Sequence, residues 1–342
     1  YSLPEWDHIK DLVTELFKKR LPHQELPNPN VTIDFSWIKF TKKVSFEYFL
    51  FAEYIDFSNS IWLSDALFRE SIFLTFVAFE NVYFKRGVDF NSAIFLSNHT
   101  YFSKTTFYGM ADFTNSAFEG KTVIYGIFED ESSFYQCDFN KRINFIGSKF
   151  KKYYPMLVGS NLDEKTTLSV SPEDWPEYNN CEQNSQEAKD SCSVLRQAMV
   201  LKGLPEQAHF FFRREMQFAS KIGSVWQRFP YLLFGWFSDY GHSLKRPSWA
   251  LAMLWFFPAM VYWPYLYIGG YTDIFNLEFW NSVARTSVLS SGLSLGNLFQ
   301  FTGLQRVYLI DIIKELPWGL KFLGGAQTLL AIPLLFLLLL GL

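Results

Sequence analysis

Between Val31 and Phe150 the large apolar residues recur at an interval that neither a helix nor an ordinary strand produces. They fall at Phe35, Phe40, Phe46, Phe51, Phe57, Trp62, Phe68, Phe73, Phe79, Phe84, Phe90 and Phe95, in alternating steps of five and six residues. The beat slips by one residue after Phe95 and resumes at Phe102, Phe107, Phe113, Phe118 and Ile124. After a compensating deletion it continues at Phe128, Phe134, Phe139, Phe145 and Phe150. A helix repeats its apolar face every 3.6 residues and a half-buried strand every 2, so this period belongs to a solenoid.

Two residues before most of these aromatics stands a small or β-branched residue: Val44, Ile55, Ala66, Ser71, Val82, Val88, Ala93, Thr105, Ala111, Cys137, Ile143 and Ser148. Residues two apart in an extended backbone share a face, so each short side supplies one large and one small inward residue before a polar turn. On stretches such as DFSNSIW, LSDALF and VDFNSAIF the sequence resembles the pentapeptide-repeat family, in its aromatic-rich form with alternating five- and six-residue units. That resemblance implies a right-handed quadrilateral β-helix with the large residue at the centre of each side. One ring then takes two elevens, and the 116 residues from Phe35 to Phe150 make about five rings, a column roughly 25 Å tall.

The flanking segments read differently. In residues 1–30, Trp6, Ile9, Leu12, Val13, Leu16 and Phe17 have helical spacing, which predicts a capping helix over the open end of the coil. Residues 151–190 are polar and acidic and are expected to form a loop. In residues 191–246 a helical hairpin linker is predicted, from helices over 187–202 and 205–222 with Gly203 and Pro205 at the turn, the second of them basic through Arg213, Arg214 and Lys221.

A two-span membrane domain is expected over 247–342. No charge occurs from Pro247 to Thr272 or from Phe322 to Leu342, and about 20 apolar residues suffice to cross the hydrocarbon core. Lys245 and Arg246 precede the first span, which places the repeat domain on the cytoplasmic side of a bacterial inner membrane. Between the spans, 277–291 predicts a short amphipathic helix and SGLSLGNLF a Gly-bearing loop, so that 277–320 is laid out like a pore segment. This order resembles the pore domain of two-span cation channels of the potassium-channel superfamily, although the Thr-Val-Gly-Tyr-Gly type filter is absent. The resemblance implies a homo-oligomer, a tetramer, around an ion path lined near Ser287, Ser290, Ser291, Gly292, Leu293 and Ser294. Gly324, Gly325 and Gln327 are the expected oligomer contact. The competing expectation is a segment that merely caps the outer surface, in an adaptor that the two spans only tether.

Composition narrows the remaining classes. With 38 Phe among 342 residues, most aromatics are expected to fill a stacked core. A net charge of −3 implies no nucleic-acid partner. Val31 to Phe150 carries 14 acidic and 11 basic residues, too balanced for the DNA mimicry by which some pentapeptide-repeat proteins bind topoisomerase. Cys137, Cys181 and Cys192 have no metal spacing and are expected to be free thiols, and His8, His23, His99, His209 and His242 fall into no metal or triad pattern. No cofactor, metal site or enzymatic activity is expected; the partners are membrane lipid and an unidentified protein on the repeat domain. The chain opens at Tyr1 and ends within an apolar run, so both ends are expected to be trimmed from a longer natural product.

Overall fold

The computed structural model describes residues 32–162, 166–268, 279–300, 303 and 309–340. They form two compact units, one holding the described residues up to Gln183 with 197–203, the other 184–196 with those from Leu204 onward. The expected N-terminal capping helix lies outside the described residues.

The first unit is a parallel β-solenoid of about five turns. Its short strands run from β1 (Thr32–Asp34) to β20 (Lys149–Phe150). In the early turns each strand pairs with the fourth one after it, as Ile33 with Ile55 and Phe40 with Trp62, which yields four ladders. The aromatics stack along them in four columns. In one, Phe46, Phe68, Phe90, Phe113 and Phe134 follow at ring-centroid spacings of 5.3, 4.8, 5.0 and 5.0 Å with interplanar angles of 20° or less. Phe46 is half-buried, and each of the four after it, fully withdrawn from water, contributes about 1.5–3 kcal/mol by burial and about 0.5–1.5 more by ring contact.

The backbone explains the unequal steps. Every five-residue step contains one residue in the left-handed region two places after its aromatic, among them Asn59, Glu70, Asn81, Ser92 and Asn115, with φ between 53° and 60°. One such residue turns the corner tightly; no six-residue step contains one. Several corners are also held by an Asp beside the aromatic. Asp56, Asp89 and Asp112 each accept the backbone N–H two residues on at 2.8–2.9 Å, an Asx turn. Small inward residues satisfy the interior carbonyls: Ser71 donates to that of Phe68, Ser116 to that of Phe90, and the Cys137 thiol to that of Phe113 at 2.9 Å.

The slip and its compensation are both visible. An extra residue enters between Phe95 and Thr100, where the pairing offset rises from 22 in Ile94↔Ile72 to 23 in Thr100↔Val77. It is cancelled between β13 (His99–Phe107) and β16 (Lys121–Phe128), where Lys104 has no counterpart. The residue lost is thus the left-handed corner itself. Both repairs require glycine. A Cβ on Gly120 would stand 1.9 Å from the Ser97 carbonyl oxygen, and one on Gly126 would stand 2.5 Å from that of Thr105.

The coil also continues beyond Phe150, where a loop was expected. Met156 bridges to Ser133 and Thr167 to Asn144, Leu157 and Leu168 are buried, and Trp175 stacks on Phe150 at 5.3 Å. Leucines replace phenylalanine and the spacing opens, so the beat disappears while the packing persists.

The second unit is helical: α1 (Ser185–Leu201), whose first part belongs to it, α2 (Pro205–Ala219), α3 (Val225–Ser238), α4 (Lys245–Ile268), α5 (Phe279–Leu298), α6 (Ile310–Glu315) and α7 (Trp318–Leu340). Two helices, Lys245–Ile268 and Trp318–Leu339, are long and apolar enough to cross a membrane, and most of their surface is not buried within the protein. That exposure argues against the core of a water-soluble bundle. Helix α3 is absent from the expectations, as is the length of α5. The stretch SGLSLGNLF is not a loop, because α5 runs through it to Leu298. At 1.5 Å per residue its 20 residues span about 30 Å.

Candidate functional site in the helical unit

Helices α4 and α7 run antiparallel: Leu254 faces Gln327 and Tyr262 faces Leu320. Helix α5 packs on both. It is too polar to face hydrocarbon on all sides, and its polar side chains turn inward.

The network begins at a proline. Pro258 lies inside α4 and has no N–H, so the Leu254 carbonyl four residues earlier loses its helical donor. The Gln327 side-chain amide supplies one from α7 at 2.9 Å. It also donates to the carbonyl and hydroxyl oxygens of Ser294 on α5, at 2.9 and 2.6 Å. Ser294 in turn donates to the Trp255 carbonyl at 2.6 Å. The Asn297 amide donates to the Gln327 side-chain oxygen at 3.0 Å and to the Tyr262 hydroxyl at 3.1 Å, while Thr328 donates to the Asn297 carbonyl at 2.8 Å. Gly324 makes room for this: a Cβ there would lie 3.1 Å from the Asn297 amide nitrogen. Ser294, Asn297 and Gln327 are buried, the last only 1% exposed. The network is neutral, and these three side chains are satisfied within one chain.

The expected pore-lining residues therefore do not converge. Ser287 accepts the Trp263 indole N–H and donates to the Val283 carbonyl. Ser290 is buried and donates to the Ser287 carbonyl. The carbonyl of Ser291 accepts from the Trp255 indole. Leu293 lies in an apolar cluster with Tyr262, Leu266, Leu309 and Leu316, and Ser294 belongs to the network. Gly292 alone of the six has open space around it. All six sit on one continuous helix, where backbone carbonyls bond to N–H groups four residues on. Of the expected oligomer contacts, Gly324 and Gln327 face inward and Gly325 is exposed.

The turn from α3 into α4 forms a second cluster. Asp239, Tyr240 and Gly241 have φ of 51°, 57° and 85°. Three successive left-handed residues are costly, and the turn is held by a two-pronged bond from Arg213 to Asp239, at 3.1 and 2.7 Å. The His209 and His242 rings stand beside it with centroids 5.8 Å apart. Burial, then His242 and Arg213, hold His209 below the ordinary histidine pKa. The described residues contain no group of three or more side chains placed to hold a metal ion.

Helix α3 carries its own signal, hidden from sequence by its length. Trp226 is 86% exposed and Trp236 71%, although most of this helix is apolar. A capping box of Ser224 and Gln227 starts it. At 14 residues it is too short to cross a bilayer. No protein-family model matches this chain, and no curated protein or solved structure matches it.

Proposed function

We propose that this chain is a pentapeptide-repeat scaffold tethered to a bacterial inner membrane. Helices α4 and α7 cross the bilayer and hold a right-handed, four-sided coil on the cytoplasmic side, where its regular walls receive a protein partner. The beat of aromatics, the four ladders and the left-handed corners support the repeat assignment. Lys245 and Arg246 at the start of α4 support the orientation. The observation that carries the tether over the pore is the neutral network around Gln327, whose buried side chains bond one another inside a single chain. An ion path needs carbonyls, charges or water at depth. The exposed positions of α5 include Ala284, Val288 and Leu295, which offer none of these. The test is ion flux from liposomes holding the purified chain, alongside mass measurement in mild detergent: the tether predicts no flux above that of protein-free liposomes.

Ion conduction is the second reading, favoured by Gly292 and Gly325, where an added Cβ would meet no atom within 4 Å. Subunits of a tetramer would approach closely at such glycines. Flux that Gly292→Leu abolishes would establish it and displace the tether.

A further inference from the structure

We propose that the helical unit holds one anionic phospholipid, its chains in an apolar groove between α3, α4 and α7 and its headgroup in an adjoining cleft beside Lys189. This rests on the membrane reading and goes beyond it by assigning a site. The groove encloses about 1330 Å³ and is lined by side chains such as Tyr231, Phe234, Phe257, Leu334 and Phe336, with no charged residue among them. That exceeds the about 300–1,000 Å³ of ordinary small-ligand pockets.

Each of its three walls is interrupted by a proline that lines it: Pro230 on α3, Pro258 on α4 and Pro333 on α7. Interior prolines bend or break helices, which keeps the three from closing on one another. The surface around the groove is equally apolar, with Trp236, Phe256 and Leu329 exposed. It therefore opens toward hydrocarbon, and the occupant that hydrocarbon supplies is an acyl chain.

The cleft encloses about 460 Å³ and shares Pro230 and Tyr231 with the groove, so the two adjoin across α3. Gln227 and Lys189 supply polar lining, and among the described residues that line it Lys189 alone is charged. Among the described residues Lys189 has no carboxylate partner. The wider segment has the same sign: from 216 to 268 the charges are Lys221, Arg228, Lys245, Arg246 and a single acid, Asp239, which Arg213 neutralises. An apolar slot joined to a cationic polar cleft matches a lipid with a negative headgroup.

The test is native mass spectrometry of the full chain, purified in mild detergent and offered phosphatidylglycerol or phosphatidylcholine. One bound lipid per chain is expected, with phosphatidylglycerol favoured about fivefold or more, the contribution of one basic residue near the surface. Lys189→Glu should erase that preference while lipid still binds. Ala250→Trp, which fills the groove, should expel lipid with helicity unchanged by circular dichroism; Ala250→Leu is the milder variant should the first lose helicity. No adduct, an equal response to both headgroups, or a lipid-free dimer joined through the groove would overturn the proposal. A carbonate wash of membranes separates the premise: release of the chain into the wash sinks the membrane reading itself, whereas retention without bound lipid sinks only the site.

Discussion

The side-chain amide of Gln327 occupies the place of the N–H that Pro258 lacks, bonding the Leu254 carbonyl at 2.9 Å. A helix break in one element is thus mended by a residue 73 positions away. Gln327→Leu should destabilise the helical unit by about 1–2 kcal/mol, near the upper end for hydrogen bonds between membrane helices. Pro258→Ala restores the missing donor, so the same substitution should cost less in that background. A double-mutant cycle on thermal unfolding in detergent checks it, and equal costs in both backgrounds would refute the mending role.

Glycines in this chain divide by what surrounds them. Gly126→Ala should destabilise the coil by about 3 kcal/mol or more, because the new methyl meets the Thr105 backbone oxygen in an interior that resists displacement. Gly292→Ala enters open space within a helix and should stabilise by about 0.5–1 kcal/mol. Denaturant unfolding followed by circular dichroism would separate the two.

Phe90 is stacked on both faces, by Phe68 and Phe113, and is fully buried. Phe90→Ala should cost about 3–5 kcal/mol. The less buried Phe40, stacked on Trp62, should cost measurably less. Equal losses at the two sites would contradict a core built as continuous columns.

Burial and its cationic neighbours lower the pKa of His209 in the folded chain. Well above the ordinary histidine value the residue is neutral whether folded or not, and its contribution to stability is fully present. As the pH falls through the ordinary histidine value near 6.5, the unfolded chain takes up the proton first and that contribution is progressively lost. His209→Gln should flatten the pH dependence of the melting temperature between pH 7 and about 5. An unchanged slope would show that the pair with His242 does not govern it.

The three cysteines differ in access. Cys137 and Cys192 are buried and Cys181 is partly exposed. Burial pushes the Cys137 thiol up in pKa, which removes the reactive thiolate. A maleimide at pH 7 should therefore label one thiol in the native chain and three after denaturation, as read by mass spectrometry.

Much of the coil was legible because its interior admits one large ring per side, so Phe57 or Phe95 declares its own place. The end of the coil was not, because Leu157 and Leu168 do the same work without an aromatic's signature. The register repairs at Gly120 and Gly126 depend on backbone proximity across a turn, which spacing along the chain does not encode. In the helical unit the two apolar runs marked α4 and α7 directly. The partners of the α5 serines could not be read from spacing: Ser290 is bonded within its own helix and Ser294 to the helix beside it. Helix α3 escaped notice because 14 residues match no membrane-spanning length, and the polar residues that announce a surface helix are few.

The extra residue between Phe95 and Thr100 bears on how such a coil tolerates a change in length. Phe102, Phe107, Phe113 and Phe118 come after it and before the opposite loss, yet all four rings are fully buried, so the sides keep their phase. The pairing offset is back to 22 at His99↔Lys121, because a residue taken up at a corner lengthens one lap and leaves the next in step. A copying mistake in this architecture is survivable when it falls at a corner and a residue without a side chain lies against it in the adjoining lap.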